Sequence, residues 1–401
     1  MHIVLLPAMS VCSLFVLLAL GVAATKATAS SNATLTMLTS PVAKCLDGSQ
    51  GGFYYRPGQG EDINKWLFTL EGGGLCSHEN DCKERAKTAL GSSTYFPESF
   101  DFDTISITSS DQANPFREYN FVYMPYCDGG MWSGTRTEAT EETWGLYMSG
   151  HNIIEATLTT LSETNGLNTT GNVVVFSGGS AGGVGVFVNY EYVRARLKKE
   201  VVVVGAPVGG FPPEIFWYNL SKGGPPEEDV RNSNFKYLYD TYDSFVPSRC
   251  RAAYGEQDAW KCFIPYLAYP HYVTPMFIIE SQTDVVIMGG FEGMDHKLPG
   301  ALLNPDVWHW INEYGANATE NFKQINITRD GLYAPVCLMH TGFLLKKPII
   351  NGVGVADALM GWLKQYLPGE ARQGVAGAHM YEDHCKNGKY YPPCNPACPP
   401  L

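Results

Sequence analysis

The stretch Val173–Gly182, "VVVFSGGSAG", constrains this chain more than any other. A run of β-branched and aromatic residues ends in two glycines, and a lone serine stands between those and a third. Helical periodicity then resumes over Ala181–Lys198. Gly178-Gly179-Ser180-Ala181-Gly182 therefore satisfies G-x-S-x-G between a predicted strand and a predicted helix, the context of a nucleophile elbow. A side chain at residue 178 or 182 would collide with the adjoining strand or helix, so both positions call for glycine. The turn exposes the Ser180 Oγ at the carboxyl edge of a sheet. The nearby helix N-terminus favours developing negative charge. The plain alternative is a glycine-rich strand-to-helix turn without chemistry.

A second glycine run sides with chemistry. "LFTLEGGGLC" sets Glu71-Gly72-Gly73-Gly74 directly after an apolar run. Esterases use such a loop to aim backbone N–H groups at a tetrahedral oxyanion. A phosphate cradle fits less well, because no Lys-Ser/Thr follows the glycines. An orienting acid and a base would follow in the order Ser, Asp/Glu, His. "PMFIIESQTDVVIMGGF" places Asp284 in a polar loop after an apolar strand, and "LYAPVCLMHTGFL" places His340 after another. Position alone leaves rivals open. His271, His296, His309, His379 and His384 compete for the base, and Asp240, Asp243 and Asp258 for the acid.

Short apolar runs alternate with helical patterns along the chain. The strand candidates are Lys65–Leu70, Asn120–Pro125, Asn172–Ser177, Val201–Gly205 and Pro275–Glu280. Most are bounded by Gly or Pro, as buried parallel strands are. Helices are expected over Glu141–Leu161, Ala181–Lys198 and Val355–Leu367. This order predicts an α/β fold, a doubly wound, mostly parallel sheet with helices on both faces. The Pro-, aromatic- and charge-rich segment 211–272 reads as a cap-like insertion, and residues 368–401 as a Cys/Pro-rich tail. Residues 30–44 form a lead-in, and 45–401 a single domain. No internal repeat is present.

The net charge of −12 argues against nonspecific binding to nucleic acid or to anionic membranes. Residues 1–29 read as a secretory leader, with an apolar run from Val11 to Ala24 and Ala27-Thr28-Ala29 as a cleavage option. The n-region has His2 and no Lys or Arg, so a signal anchor is the competing reading. No later segment is long and apolar enough to span a membrane. Of the 11 cysteines, Cys12 lies in the leader and the other ten form an even set, as a disulfide complement would. Cys76–Cys82 and Cys250–Cys262 are plausible local bridges from their short spacing. No zinc-type spacing occurs, and no metal or cofactor is implied. Sequons at Asn32, Asn168, Asn219, Asn317 and Asn326 fit a secreted glycoprotein.

Together, "LEGGGLC", "YMPYCDGGMWSG", "FSGGSAGG", "QTDVV" and "CLMHTG" resemble, in sequence and order, the pectin acetylesterase and Notum family of secreted hydrolases. The resemblance covers roughly residues 45 to 367. It implies an α/β-hydrolase-like fold and a metal-free triad of Ser180 as nucleophile, Asp284 as acid and His340 as base. Gly73, Gly74 and Ala181 would frame the oxyanion hole. Two positions depart from the family pattern. Gly179 stands where a cysteine is usual, and Leu75 where a tryptophan is usual. Both bear on the acyl pocket, and Leu75 would touch the acyl group there. Asp128, in "YCDGG", matches the pattern; its carboxylate would hold a turn near the pocket.

The expected reaction is ester hydrolysis through an acyl-enzyme, with acetyl groups on cell-wall polysaccharide as the first-choice substrate. A Notum-like branch would instead remove a fatty acyl group from a protein and would need a deep apolar pocket. Leu75, Phe211, Phe216 and Trp217 are candidates to line it. A secreted binding protein that keeps the fold without catalysis is a third reading, opposed by the intact Ser, Asp and His set.

Overall fold

The computed structural model describes residues 32–101, 111, 113–213, 228–288, 305–343, 347–369 and 377–399. The leader, Asn219, Phe216, Trp217 and His296 lie outside them. The strands, in chain order, are β1 Asn32–Met37, β2 Gly52–Arg56, β3 Lys65–Leu70, β4 Ser99–Asp101, β5 Asn120–Met124, β6 Val173–Gly179, β7 Val202–Val208, β8 Phe277–Ile279, β9 Thr283–Asp284, β10 Gly331–Ala334, β11 Leu338–Met339, β12 Ile349–Ile350, β13 Val353–Gly354 and β14 Met380–Glu382. The α-helices are α1 Glu79–Arg85, α2 Gly150–Thr164, α3 Ala181–Arg196, α4 Glu228–Tyr242, α5 Ser248–Tyr254, α6 Pro265–Ala268, α7 Pro305–Phe322 and α8 Val355–Leu363.

Ten of these strands form one sheet in the order β14-β10-β8-β7-β6-β3-β5-β2-β1-β4. The block from β14 to β5 is parallel. The β2, β1 and β4 edge is antiparallel. Side chains of β6 alternate between two apolar layers. Val174 and Phe176 join the layer of α2, α3 and the cap, while Val173 and Val175 join the layer of α8. Burial on both faces explains why the strand reads as an unbroken apolar run. After β3 the chain builds β5 on one side and then β6 on the other. The reversal opens a crevice at the carboxyl ends of β3 and β6, where open α/β sheets hold ligands. Both glycine loops sit there. This is the α/β-hydrolase-like, doubly wound architecture expected, with helices α4–α6 inserted between β7 and β8.

One expectation needs correction. The helix expected from Glu141 begins at Gly150. Trp144 and Gly145 adopt positive φ, and Thr140 and Thr143 bond to one another in a turn, which no helix tolerates. The lead-in carries β1, a full member of the sheet. The tail supplies β14, the far edge strand, and is stapled at Cys337–Cys398 and Cys385–Cys394. The bridges Cys76–Cys82 and Cys250–Cys262 form as their spacing suggested, alongside Cys45–Cys127.

Candidate active site

Ser180 caps α3 with φ 57° and ψ −122°. That left-handed conformation is disfavoured for a residue with a Cβ, and strain of this kind clusters at functional sites. The turn is held from both sides. The Ser180 N–H donates to Val208 O at 2.8 Å, and Val184 N–H donates to Ser180 O at 3.1 Å. A Cβ on Gly182 would collide with the Leu70 carbonyl oxygen, and one on Gly178 with Gly182 O. A Cβ on Gly179 would meet only Thr341 Cγ2, at an ordinary 3.4 Å. The sharp approach of β6, α3 and β3 therefore demands glycine at 178 and 182 and not at 179.

Gly72 runs against the same turn, since a Cβ there would stand 2.7 Å from Ser180 Cβ. Gly73 and Gly74 have φ of 153° and 74°. Their carbonyls are anchored: Arg85 donates to Gly73 O at 2.7 Å, and the Tyr126 hydroxyl to Gly74 O at 2.8 Å. Trp132 Nε1 holds Glu71 O at 3.0 Å. Among the described residues, none accepts a hydrogen bond from the N–H of Gly73, Gly74 or Ala181. Such turned, unpartnered amides beside a serine suit an oxyanion.

Asp284 and His340 meet across β9 and β11, two short parallel strands paired at Leu338–Thr283 and Met339–Asp284. His340 Nδ1 lies 2.6 Å from Asp284 Oδ2. Asp284 is fully buried, and its Oδ1 accepts the N–H groups of Val286 and Ile287 at 2.9 and 3.0 Å. An acid so satisfied accepts Nδ1–H and leaves Nε2 as the free base. Nε2 is buried with no hydrogen-bond partner among the described residues. His340 lines the cavity that Ser180 also lines. A Cβ on Gly209 would touch the imidazole at 3.1 Å, so that glycine lets the ring lie flat beside β7's end.

The rivals lie elsewhere. His309 pairs with Glu313 on the surface, and His271 packs on the Tyr254 ring. His379 is half-buried beside the tail strand, and His384 is exposed. Asp240 and Asp258 form surface ion pairs with Lys236 and Lys261, and Asp243 accepts from Thr135. His151 is a core histidine, stacked on Phe245 and paired with Asn189.

The cavity beside Ser180 measures about 90 Å³. Its walls are nearly all apolar, including Met131, Val184, Phe263, Ile264, Tyr266 and Ile287. Much of this lining comes from the cap-like segment, whose aromatic richness was the signal available in the sequence. Neither Leu75 nor Asp128 lines it. Leu75 packs into the core beside Ala86 and Cys76 instead. Asp128 is fully buried, and its Oδ2 accepts the N–H groups of Gly130 and Trp132 at 3.0 and 3.1 Å. It holds the turn that carries Met131 into the cavity wall. Phe211 is buried against Phe187 and Phe322. A buried acid not singled out from sequence, Glu280, lies four residues before Asp284. Standing directly after the apolar run of β8, it gave no pattern to find.

A profile of the family described as Pectinacetylesterase matches residues 26–399. The palmitoleoyl-protein carboxylesterase NOTUM of Schmidtea mediterranea is 30% identical over 352 residues, covering 82% of this chain and 62% of that protein. The same-named protein of Homo sapiens is 26% identical over 385 residues, covering 91% of this chain and 73% of that one. This chain thus spans less than two thirds of the planarian relative. A solved structure described as the Wnt deacylase Notum from Drosophila matches with a TM-score of 0.77 at 24% identity, over 92% of this chain and 100% of the other. At that identity the likeness speaks to the fold alone.

Proposed function

The chain belongs to the pectinacetylesterase family, and on that premise we propose that it is a secreted carboxylic-ester hydrolase acting through an acyl-enzyme on Ser180. His340 Nε2 takes the proton from Ser180 Oγ as it attacks the ester carbonyl. Asp284 fixes the tautomer and stabilises the imidazolium. The N–H groups of Ala181, Gly73 and Gly74 receive the oxyanion, each worth about 3–4 kcal/mol to the transition state. His340 then protonates the leaving alkoxide, and water repeats the sequence to free the acid. The observation that carries this reading is the 2.6 Å His340–Asp284 contact beside a strained serine elbow.

The cavity bears on the acyl group. A dry cavity of roughly 150 Å³ holds benzene, with six carbons. The 90 Å³ beside Ser180 is in proportion to an acyl chain of about four carbons. Apolar walls favour such a chain over acetyl, by about 1–3 kcal/mol per methylene at most. We therefore place the preference at butyryl, between the acetyl group in the family's description and the palmitoleoyl group in the relatives' names. Removal of acetyl from polysaccharide is the second reading, supported by the family description. Export is supported by five disulfides. Among the described residues no helix is long and apolar enough to cross a membrane. Asn32 and Asn326 are exposed and are the proposed glycan acceptors among the described sequons.

Assay on p-nitrophenyl esters of graded length, acetylated pectin and acetylated xylan tests this. The expected kcat/KM peaks at butyryl, with acetyl within about a hundredfold. A maximum at dodecanoyl or longer supports fatty deacylation instead. Turnover confined to acetylated polymer supports the second reading.

A further inference from the structure

Glu280 directly follows β8, on the way to Asp284 in β9, and it is as deeply buried as Asp284 itself. Its Oε2 accepts the Phe211 N–H at 2.7 Å. Its Oε1 is buried with no donor facing it among the described residues. The Asp284 carboxyl, equally buried and four residues on, lies within hydrogen-bonding range of the Glu280 carboxyl. Two carboxylates cannot hydrogen-bond one another; one of them must carry a proton. Asp284 is supplied with three donors, from Val286, Ile287 and His340. Glu280 is supplied only by the backbone N–H groups of Phe211 and Gly210, and its Oε1 by none, so the proton belongs on Glu280.

We propose that Glu280 is a positioning residue of the acyl-transfer site: a neutral carboxylic acid that donates its proton in a hydrogen bond to Asp284 and ties that acid to the Gly210–Phe211 strap. The proposal rests on the reading of Ser180, His340 and Asp284 as the catalytic triad. Burial, and then the Asp284 charge, push the Glu280 carboxyl well above the usual carboxylate range. Among the described residues, the other groups around it add no competing charge. Its own N–H donates to Tyr333 O, and the Tyr333 hydroxyl points to the Val353 carbonyl instead. The strap adjoining it contributes Gly209 and Gly210, which cannot titrate. One negative charge therefore stands behind His340, where two would repel. The strap matters for geometry too, because Gly209 is the residue against which the imidazole lies.

Glutamine is the test, since its amide donates to Asp284 and accepts from Phe211 as a protonated glutamate does. Glu280→Gln is expected to keep kcat/KM on butyryl ester within about threefold, with the acid limb of its pH profile unmoved. Glu280→Leu keeps the volume and loses both bonds, and is expected to lower kcat by about ten- to a hundredfold with little change in KM. In an Asp128→Asn background, which removes the other raised, fully buried carboxyl, an infrared carbonyl band of a buried neutral carboxylic acid should be present with Glu280 in place, with or without Ser180→Ala, and absent once Glu280→Gln is added. A shift of the Glu280→Gln acid limb to lower pH would overturn the proposal, because removing a negative charge near His340 would do that. So would full activity in Glu280→Leu, or a band unchanged by Glu280→Gln. If Ser180→Ala retains turnover, the triad reading fails, and the infrared result still decides the state of Glu280.

Discussion

Ser180 holds a backbone conformation that costs a side-chain-bearing residue about 1–3 kcal/mol. Glycine adopts it freely, though it loses more entropy on folding. Ser180→Gly and Ser180→Ala should both lose ester turnover, but Ser180→Gly should be the more stable by about 1 kcal/mol in urea melts. Equal midpoints would mean the turn stores no strain. Asp128 makes a separate case. Burial pushes its carboxyl up to about 7 from an ordinary 3.8, and its Oδ1 has no partner among the described residues. The folded chain therefore holds a proton that the unfolded chain releases between those values. The stability this gives is complete below about pH 4 and is lost as pH rises through 7. Asparagine accepts the same two N–H groups and cannot ionise. Asp128→Asn should gain on wild type by about 2–3 kcal/mol between pH 5 and pH 8. Parallel stability curves for the two proteins would refute this. At this scale the sequence was informative about Ser180, Gly178 and Gly182, because steric need restricts the residue type. It was silent on Glu280, whose role depends on a partner brought together by folding.

Cap elements supply much of the wall of the cavity beside Ser180. Ile264, between the 3₁₀ turn Glu256–Phe263 and α6, presses on the cavity and is 5% exposed. Ile264→Trp should fill the cavity. Butyryl turnover should then fall by about 10- to 200-fold relative to acetyl, while fluorophosphonate labelling of Ser180 persists. An unchanged acyl profile would place the acyl group elsewhere. Element by element, legibility followed burial. The strand Lys65–Leu70 has the bounds its apolar run implies, since both neighbours pair with it along its length. The α7 helix shows how context hides a pattern. Val307, Trp310, Ile311, Tyr314, Ala318 and Phe322 carry helical spacing, yet Pro305 and a mid-helix glycine disguise it. Gly315 is there because the Tyr390 ring of the tail packs on its Cα.

At the scale of the molecule, the tail reaches back to the chemistry. Cys398 joins Cys337, three residues before His340, and the Ser281 hydroxyl bonds to Cys337 O at 2.5 Å. A loop of 61 residues closed in this way is worth about 4 kcal/mol against the unfolded chain. Local sequence patterns could not reveal a pairing of that span, just as they could not place β14 beside β10. The doubly wound order was legible because each parallel strand is locally apolar and each helix locally periodic. The antiparallel edge β2-β1-β4 was not, because its strands are short and partly exposed. All these layers serve one claim, that Ser180 becomes acylated during turnover. Mass spectrometry of protein quenched in acid during butyryl-ester hydrolysis tests it most directly. A butyryl adduct on the Ser180 peptide should form within the first turnover and disappear when substrate is spent. Turnover that continues in Ser180→Ala, or an adduct found on another residue, would contradict it.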